Sequence, residues 1–129
     1  MGYRSDVTCV IYPVDRDTAD VNIVEENYSL LKTMMNTAFK NVNDMFSENI
    51  EWHDIHKILV FKMNDAKWYD SFPDVKAFNS MLDFFKSEDN MRFCFEFIRV
   101  GEELEDNEEV YSDGAEFILG ITREITINI

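Results

Sequence analysis

Residues 91–100 (MRFCFEFIRV) place Phe93, Phe95 and Phe97 on one face of an extended chain and Cys94, Glu96 and Ile98 on the other. This is the clearest strand in the chain, and Gly101 ends it. Such a strand folds only inside a sheet, because its backbone needs partners and its phenylalanines need a covering layer. The rest of the chain must supply both.

Residues 6–12 are rich in β-branched and aromatic side chains and stop at Pro13, which predicts a first strand buried on both faces. A polar loop follows to Asp20. Between Glu25 and Phe46, the apolar residues Leu31, Met34, Met35, Ala38, Phe39, Val42, Met45 and Phe46 recur at three and four, as one face of a long helix requires. Residues 49–56 are mixed and polar, and 57–63 (KILVFKM) predict a second strand. Asn64 and Asp65 interrupt it as turn formers, before a short extended segment at Lys67, Trp68 and Tyr69. Ser71, Pro73 and Asp74 signal a second helix, with a stripe of Val75, Phe78, Leu82 and Phe85 that ends in the polar residues 86–90.

After Gly101, residues 102–109 (EELEDNEE) predict a solvated acidic loop, then a brief extended segment at Val110 and Tyr111 and a turn at Asp113 and Gly114. Phe117, Leu119, Ile121, Ile125, Ile127 and Ile129 alternate with Ile118, Gly120, Thr122, Glu124, Thr126 and Asn128, the pattern of one long half-buried strand bent at Gly120. The expectation is a single α+β domain over residues 1–129. Its elements run β-α-β-α-β-β, with a small mixed or antiparallel sheet of about four strands and two helices on one face. A ferredoxin-like arrangement is a near competitor.

With 129 residues, 46% hydrophobic and 14% aromatic, the chain can bury a core without disulfide or metal. Cys9 and Cys94 read as small core residues in a reducing compartment. The opening MGYRSDVTCVIYP has no long apolar region with a small-residue cleavage site, and Gly2 lacks the Ser or Thr that myristoylation requires, so a cytoplasmic location is expected. Acidic residues outnumber basic ones 26 to 12, for a net charge of -14. That field disfavours direct binding to nucleic acid or membrane.

Motifs for catalysis are sparse. His53 and His56, beside Glu51 and Asp54, are the nearest approach to a metal cluster, but their spacing suits one helical face poorly and neither cysteine is close in sequence. There is no nucleophile elbow and no glycine-rich phosphate loop. No metal, cofactor or catalytic set is expected. Two features remain as candidate binding residues. The acidic run Glu102, Glu103, Glu105, Asp106, Glu108 and Glu109 is either a solvated loop or a surface that steers a basic partner. Trp68 and Tyr69 are either caps on the core or binding anchors.

The opening MGYRSDV, the central KWYDSFPDV and the segment IRVGEELED together resemble a group of small accessory proteins of bacteriophage and prophage genomes, whose members begin MGYRS-acid-Val and carry K-W-Y…D-V and R-x-G-E…D segments. The resemblance implies a phage setting and the host cytoplasm. It brings no activity, cofactor or residue role. The expected function is therefore an acidic interaction protein that binds and inhibits a basic host protein handling nucleic acid or defence, in part by imitating a nucleic acid. The alternatives are a self-associating assembly protein, using the last strand at a sheet edge, and a small ligand-binding or hydrolytic domain built on carboxylates and His53 or His56.

Overall fold

The computed structural model describes residues 3–16, 20–87, 92–103, 105–121 and 125–128. The elements are β1 (Ser5–Pro13), α1 (Val21–Asn36), α2 (Lys40–Met45), β2 (Ile50–His53), β3 (Ile58–Ala66), α3 (Pro73–Lys86), β4 (Phe93–Gly101), β5 (Asn107–Tyr111), β6 (Leu119–Ile121) and β7 (Ile125–Ile127), with one 3₁₀ turn at Ser47–Asn49. The expected α+β class holds, and the sheet is antiparallel throughout, in the order β2-β3-β1-β4-β5. β1 and β2 run the same way with β3 between them, and β3 and β4 run the same way with β1 between them. These are two interleaved split β-α-β units, the ferredoxin-like connectivity, with β5 added at one edge. β6 and β7 form a separate two-stranded hairpin.

The central strands are apolar on both sides because both sides are covered. On one face Val7, Cys9, Ile11, Leu59, Phe61, Phe93, Phe95 and Phe97 pack against Leu31 and Met35 of α1, Val42 of α2, and Phe78, Met81, Leu82 and Phe85 of α3. On the other face Val10, Tyr12, Ile58, Val60, Cys94 and Ile98 pack beneath Ile118 and Leu119. The structure thus has three layers: helices, sheet and hairpin.

Several expectations are corrected. The long helix is two helices, broken where the Thr37 hydroxyl donates to the Thr33 carbonyl at 2.8 Å and the Phe39 N–H reaches back to the Met34 carbonyl at 2.9 Å. The apolar stripe survives the break because Val42 and Phe46 turn back onto the same core. The polar stretch 49–56 contains β2, whose Trp52 lies edge-on to Tyr28 at 5.7 Å. Asn64 and Asp65 do not end β3. They fall at an irregularity in its register with β1, where Asp65 has φ 54° and its N–H donates to Asp6 at 2.9 Å. Trp68 and Tyr69 lie outside any strand. The acidic loop becomes part of β5 from Asn107 onward. The long last strand is the hairpin β6-β7, because the chain reverses between Ile121 and Ile125 and pairs with itself. It is therefore not an edge of the main sheet, and the strand count exceeds the expected four.

Other expectations hold. α3 starts at Pro73 with Asp74 in its first turn and Lys86 in its last. Both cysteines are free and buried. Burial pushes both thiols up, the direction of an unreactive thiol. Among the described residues, no helix is long and apolar enough to cross a membrane. The readings placed on Gly2, on 88–90 and on Ile129 lie outside the described residues.

Candidate partner-binding edge

β5 is the outer strand on one side of the sheet, and its register with β4 sets what each residue faces. Paired residues of antiparallel strands share a face. Val110 lies opposite Phe97 and Glu108 opposite Arg99, on the helix side; Glu109 lies opposite Ile98 and Tyr111 opposite Glu96, on the hairpin side.

The acidic run divides into engaged and free carboxylates. Arg99 holds Asp106 through both oxygens, at 3.1 and 2.7 Å, and holds Glu108 at 2.8 Å. Its Nη1 also donates to the Ser5 hydroxyl at 3.1 Å. The Tyr3 hydroxyl donates to Asp106 at 2.5 Å and accepts the Glu103 N–H at 3.1 Å. The hydrogen bond from Arg99, then that from Tyr3, lowers the Asp106 pKa to about 2. The same contact with Asp106 pushes Arg99 and Tyr3 up. A Cβ at Gly101 would meet the Asp106 carboxyl and the Tyr3 hydroxyl, so a larger residue there would have to displace the Tyr3–Asp106 contact. Glu102 accepts the Arg4 N–H at 2.8 Å. Glu103, Glu105 and Glu109 are exposed and have no cation paired to them among the described residues.

Aromatic groups stand beside this strand on its hairpin side. Tyr111 and Phe117 lie 4.8 Å apart between ring centres, and Phe117 is 65% exposed. Phe117 also has φ 55°, a left-handed conformation that is costly for a bulky side chain. The contacts next to it hold that conformation in place. Glu96 is fully buried, and its carboxyl accepts the N–H of Ile118 at 3.1 Å, the N–H of Leu119 at 3.0 Å and the hydroxyl of Tyr12 at 2.6 Å. The Tyr12 oxygen in turn accepts the Glu116 N–H at 2.7 Å. Burial, then the bond to Glu96, pushes the Tyr12 hydroxyl well above its ordinary pKa. Arg16 closes the corner by pairing with Glu116 at 2.9 Å and lying over the Tyr12 ring. The corner at 116–119 is thus pinned from below, and Phe117 projects from it.

The proposed anchors from the sequence sit elsewhere. Trp68 is half-buried against Phe46, Phe61, Phe78 and Phe97 on the helix side. Since Phe97 opposes Val110, Trp68 lies near β5 but with its ring turned to the core. Tyr69 packs edge-on against Phe72 at 5.0 Å. Sequence reasoning missed Phe117, whose place in an alternating apolar run read as core; the left-handed backbone that exposes it has no sequence signal in a phenylalanine.

The remaining candidates are not assembled into a chemical site. His53 pairs with Glu51 at 3.3 Å, and His56 offers its carbonyl to Arg16 at 2.6 Å. Asp54 accepts from Tyr28 and Lys32 at 2.7 and 2.9 Å. No cluster of metal-ligating side chains occurs among the described residues. An open cleft of about 560 Å³ is lined by Val14, Asp15, Ile23, Glu26, Asn27, Leu30 and Arg92, and neither histidine lines it. No protein family, curated protein or solved structure matches the chain.

Proposed function

We propose that the protein is a non-enzymatic interaction module whose acidic β5 edge binds a basic partner protein. The observation that carries this reading is the position of β5: an outer strand on which Glu109, with Glu103 and Glu105 in the segment leading into it, faces solvent with no cation paired to it among the described residues, beside the half-buried Tyr111 and the exposed Phe117. Carboxylates so placed steer a cationic surface, and desolvated aromatic rings supply affinity. The finer proposal is a phage-encoded protein acting in the host cytoplasm, where it occupies and inhibits a host protein that handles nucleic acid or defence. Its support is the net charge of -14 and the resemblance of MGYRSDV, KWYDSFPDV and IRVGEELED to phage accessory proteins.

Self-association through β5 is disfavoured because an antiparallel copy would bring two acidic strands together, and like charges across strands repel. The test is affinity capture from bacterial lysate in low and high salt, using the wild type and E103K/E105K/E109K. The expected result is one basic nucleic-acid-handling complex, released as salt rises and absent with the triple variant. Retention that ignores both salt and charge reversal would remove the proposal, and recovery of the chain alone would favour assembly.

A further inference from the structure

The pattern of backbone hydrogen bonds along β5 deepens the reading just given, on which this inference rests. The Gly101 N–H donates to the Asp106 carbonyl at 2.8 Å, and the Ser112 N–H donates to the Phe95 carbonyl at 3.0 Å. Hydrogen-bonded pairs alternate along an antiparallel ladder. Arg99/Glu108 and Phe97/Val110 therefore belong to the bonded set, so Glu108 and Val110 point their backbone groups inward to β4. Glu109 and Tyr111 point theirs outward, where no strand pairs with β5 among the described residues.

The side chains of these same two residues face the hairpin side, next to Phe117. Each therefore offers an outward N–H and C=O together with a side chain of defined chemistry on one face. Successive same-face positions of an added strand lie two residues apart. A strand docked here would set one side chain against the Glu109 carboxylate and the next against the Tyr111 and Phe117 rings.

We propose that β5 accepts an extended segment of the partner as an additional strand, and that the segment carries Arg or Lys opposite Glu109 and an aromatic or aliphatic side chain two residues away, against Tyr111 and Phe117. Charge complementarity selects this occupant. The free carboxylates Glu103, Glu105 and Glu109 favour a cationic strand and oppose a second copy of β5. The pinned corner favours it too, because the backbone that carries the Phe117 ring is held by Glu96 through the N–H groups of Ile118 and Leu119 and so loses little freedom on binding.

The test uses a synthetic peptide about seven residues long, with Thr alternating with Arg, Phe and Arg. Two further versions carry N-methyl groups on one or the other alternate set of backbone nitrogens. Methylation of one set is expected to weaken binding more than about tenfold and that of the other set to leave it unchanged, because only one set faces β5. Amide hydrogen exchange at Glu109 and Tyr111 is expected to slow with bound peptide. F117G keeps the left-handed backbone and removes the ring; it is expected to weaken binding roughly fivefold to tenfold.

Binding that ignores methylation of either set, with unchanged exchange at Glu109 and Tyr111, overturns strand addition while leaving the acidic-surface reading in place. If in addition E109K changes neither peptide affinity nor capture of a partner, the broader reading falls as well.

Discussion

Glu96 and Glu109 lie on adjacent strands and face the same side of the sheet, yet they are used in opposite ways. Glu96 is fully buried and has three donors fixed on its carboxyl. Glu109 stands exposed at the rim, where the Tyr111 hydroxyl donates to its carboxylate at 3.3 Å. The difference is one of cover: the corner at 116–119 closes over β4 and leaves β5 open. A carboxyl under that cover fixes the fold; one beyond it is available to another molecule.

The largest effect belongs to the covered residue. E96A leaves the Tyr12 hydroxyl and the N–H groups of Ile118 and Leu119 without their acceptor, at about 1–3 kcal/mol for a buried group so orphaned. A loss on the order of 3 kcal/mol is expected in urea denaturation, against less than about 0.5 kcal/mol for E109A. Equal losses would erase the contrast.

Next comes binding. E105K/E109K is expected to weaken a basic partner on the order of tenfold at low salt, with the gap narrowing as salt rises. Stability should change little, since neither side chain holds a cation among the described residues.

Asp106 is intermediate between the two, and it sharpens the comparison through pH. Its pKa is lowered from 3.8 to about 2 in the folded chain, so its contribution is fully present above the unfolded value. That contribution is lost as pH falls from about 4 towards 2. Thermal melts of wild type and D106N should therefore converge across that window, and a constant gap down to pH 2 would contradict the pairing with Arg99.

The smallest effect concerns Thr8, which points to the hairpin side like Glu96 but whose buried hydroxyl finds no partner among the described residues. T8V is expected to stabilise by about 1 kcal/mol in the same denaturation assay. A loss instead would mean that the hydroxyl is satisfied.

Periodicity made much of this fold legible. The alternation of Phe93, Phe95 and Phe97 located β4, and the stripe from Val75 to Phe85 located α3 with its Pro73 start. Elements set by pairing rather than by their own pattern were hidden. β2 is four residues with a polar side chain at every second place, and β5 is a strand only because Arg99 and the β4 ladder neutralise and pair an acidic run. The acidic run itself was visible as a candidate surface, but the division between its engaged and free members depends on Arg99 and Tyr3, distant or hidden in sequence. Phe117 was legible only as an apolar residue, because its exposure comes from a backbone conformation fixed by Glu96.

The most direct test of the central claim compares two neutralised pairs of exposed glutamates, E105Q/E109Q at the β5 edge and E25Q/E26Q on α1, by titrating the captured basic partner over a range of salt concentrations. The account predicts that only the edge pair lowers affinity and flattens the salt dependence. An equal loss from both pairs would contradict it, because the acidity would then act as a diffuse field with no binding edge.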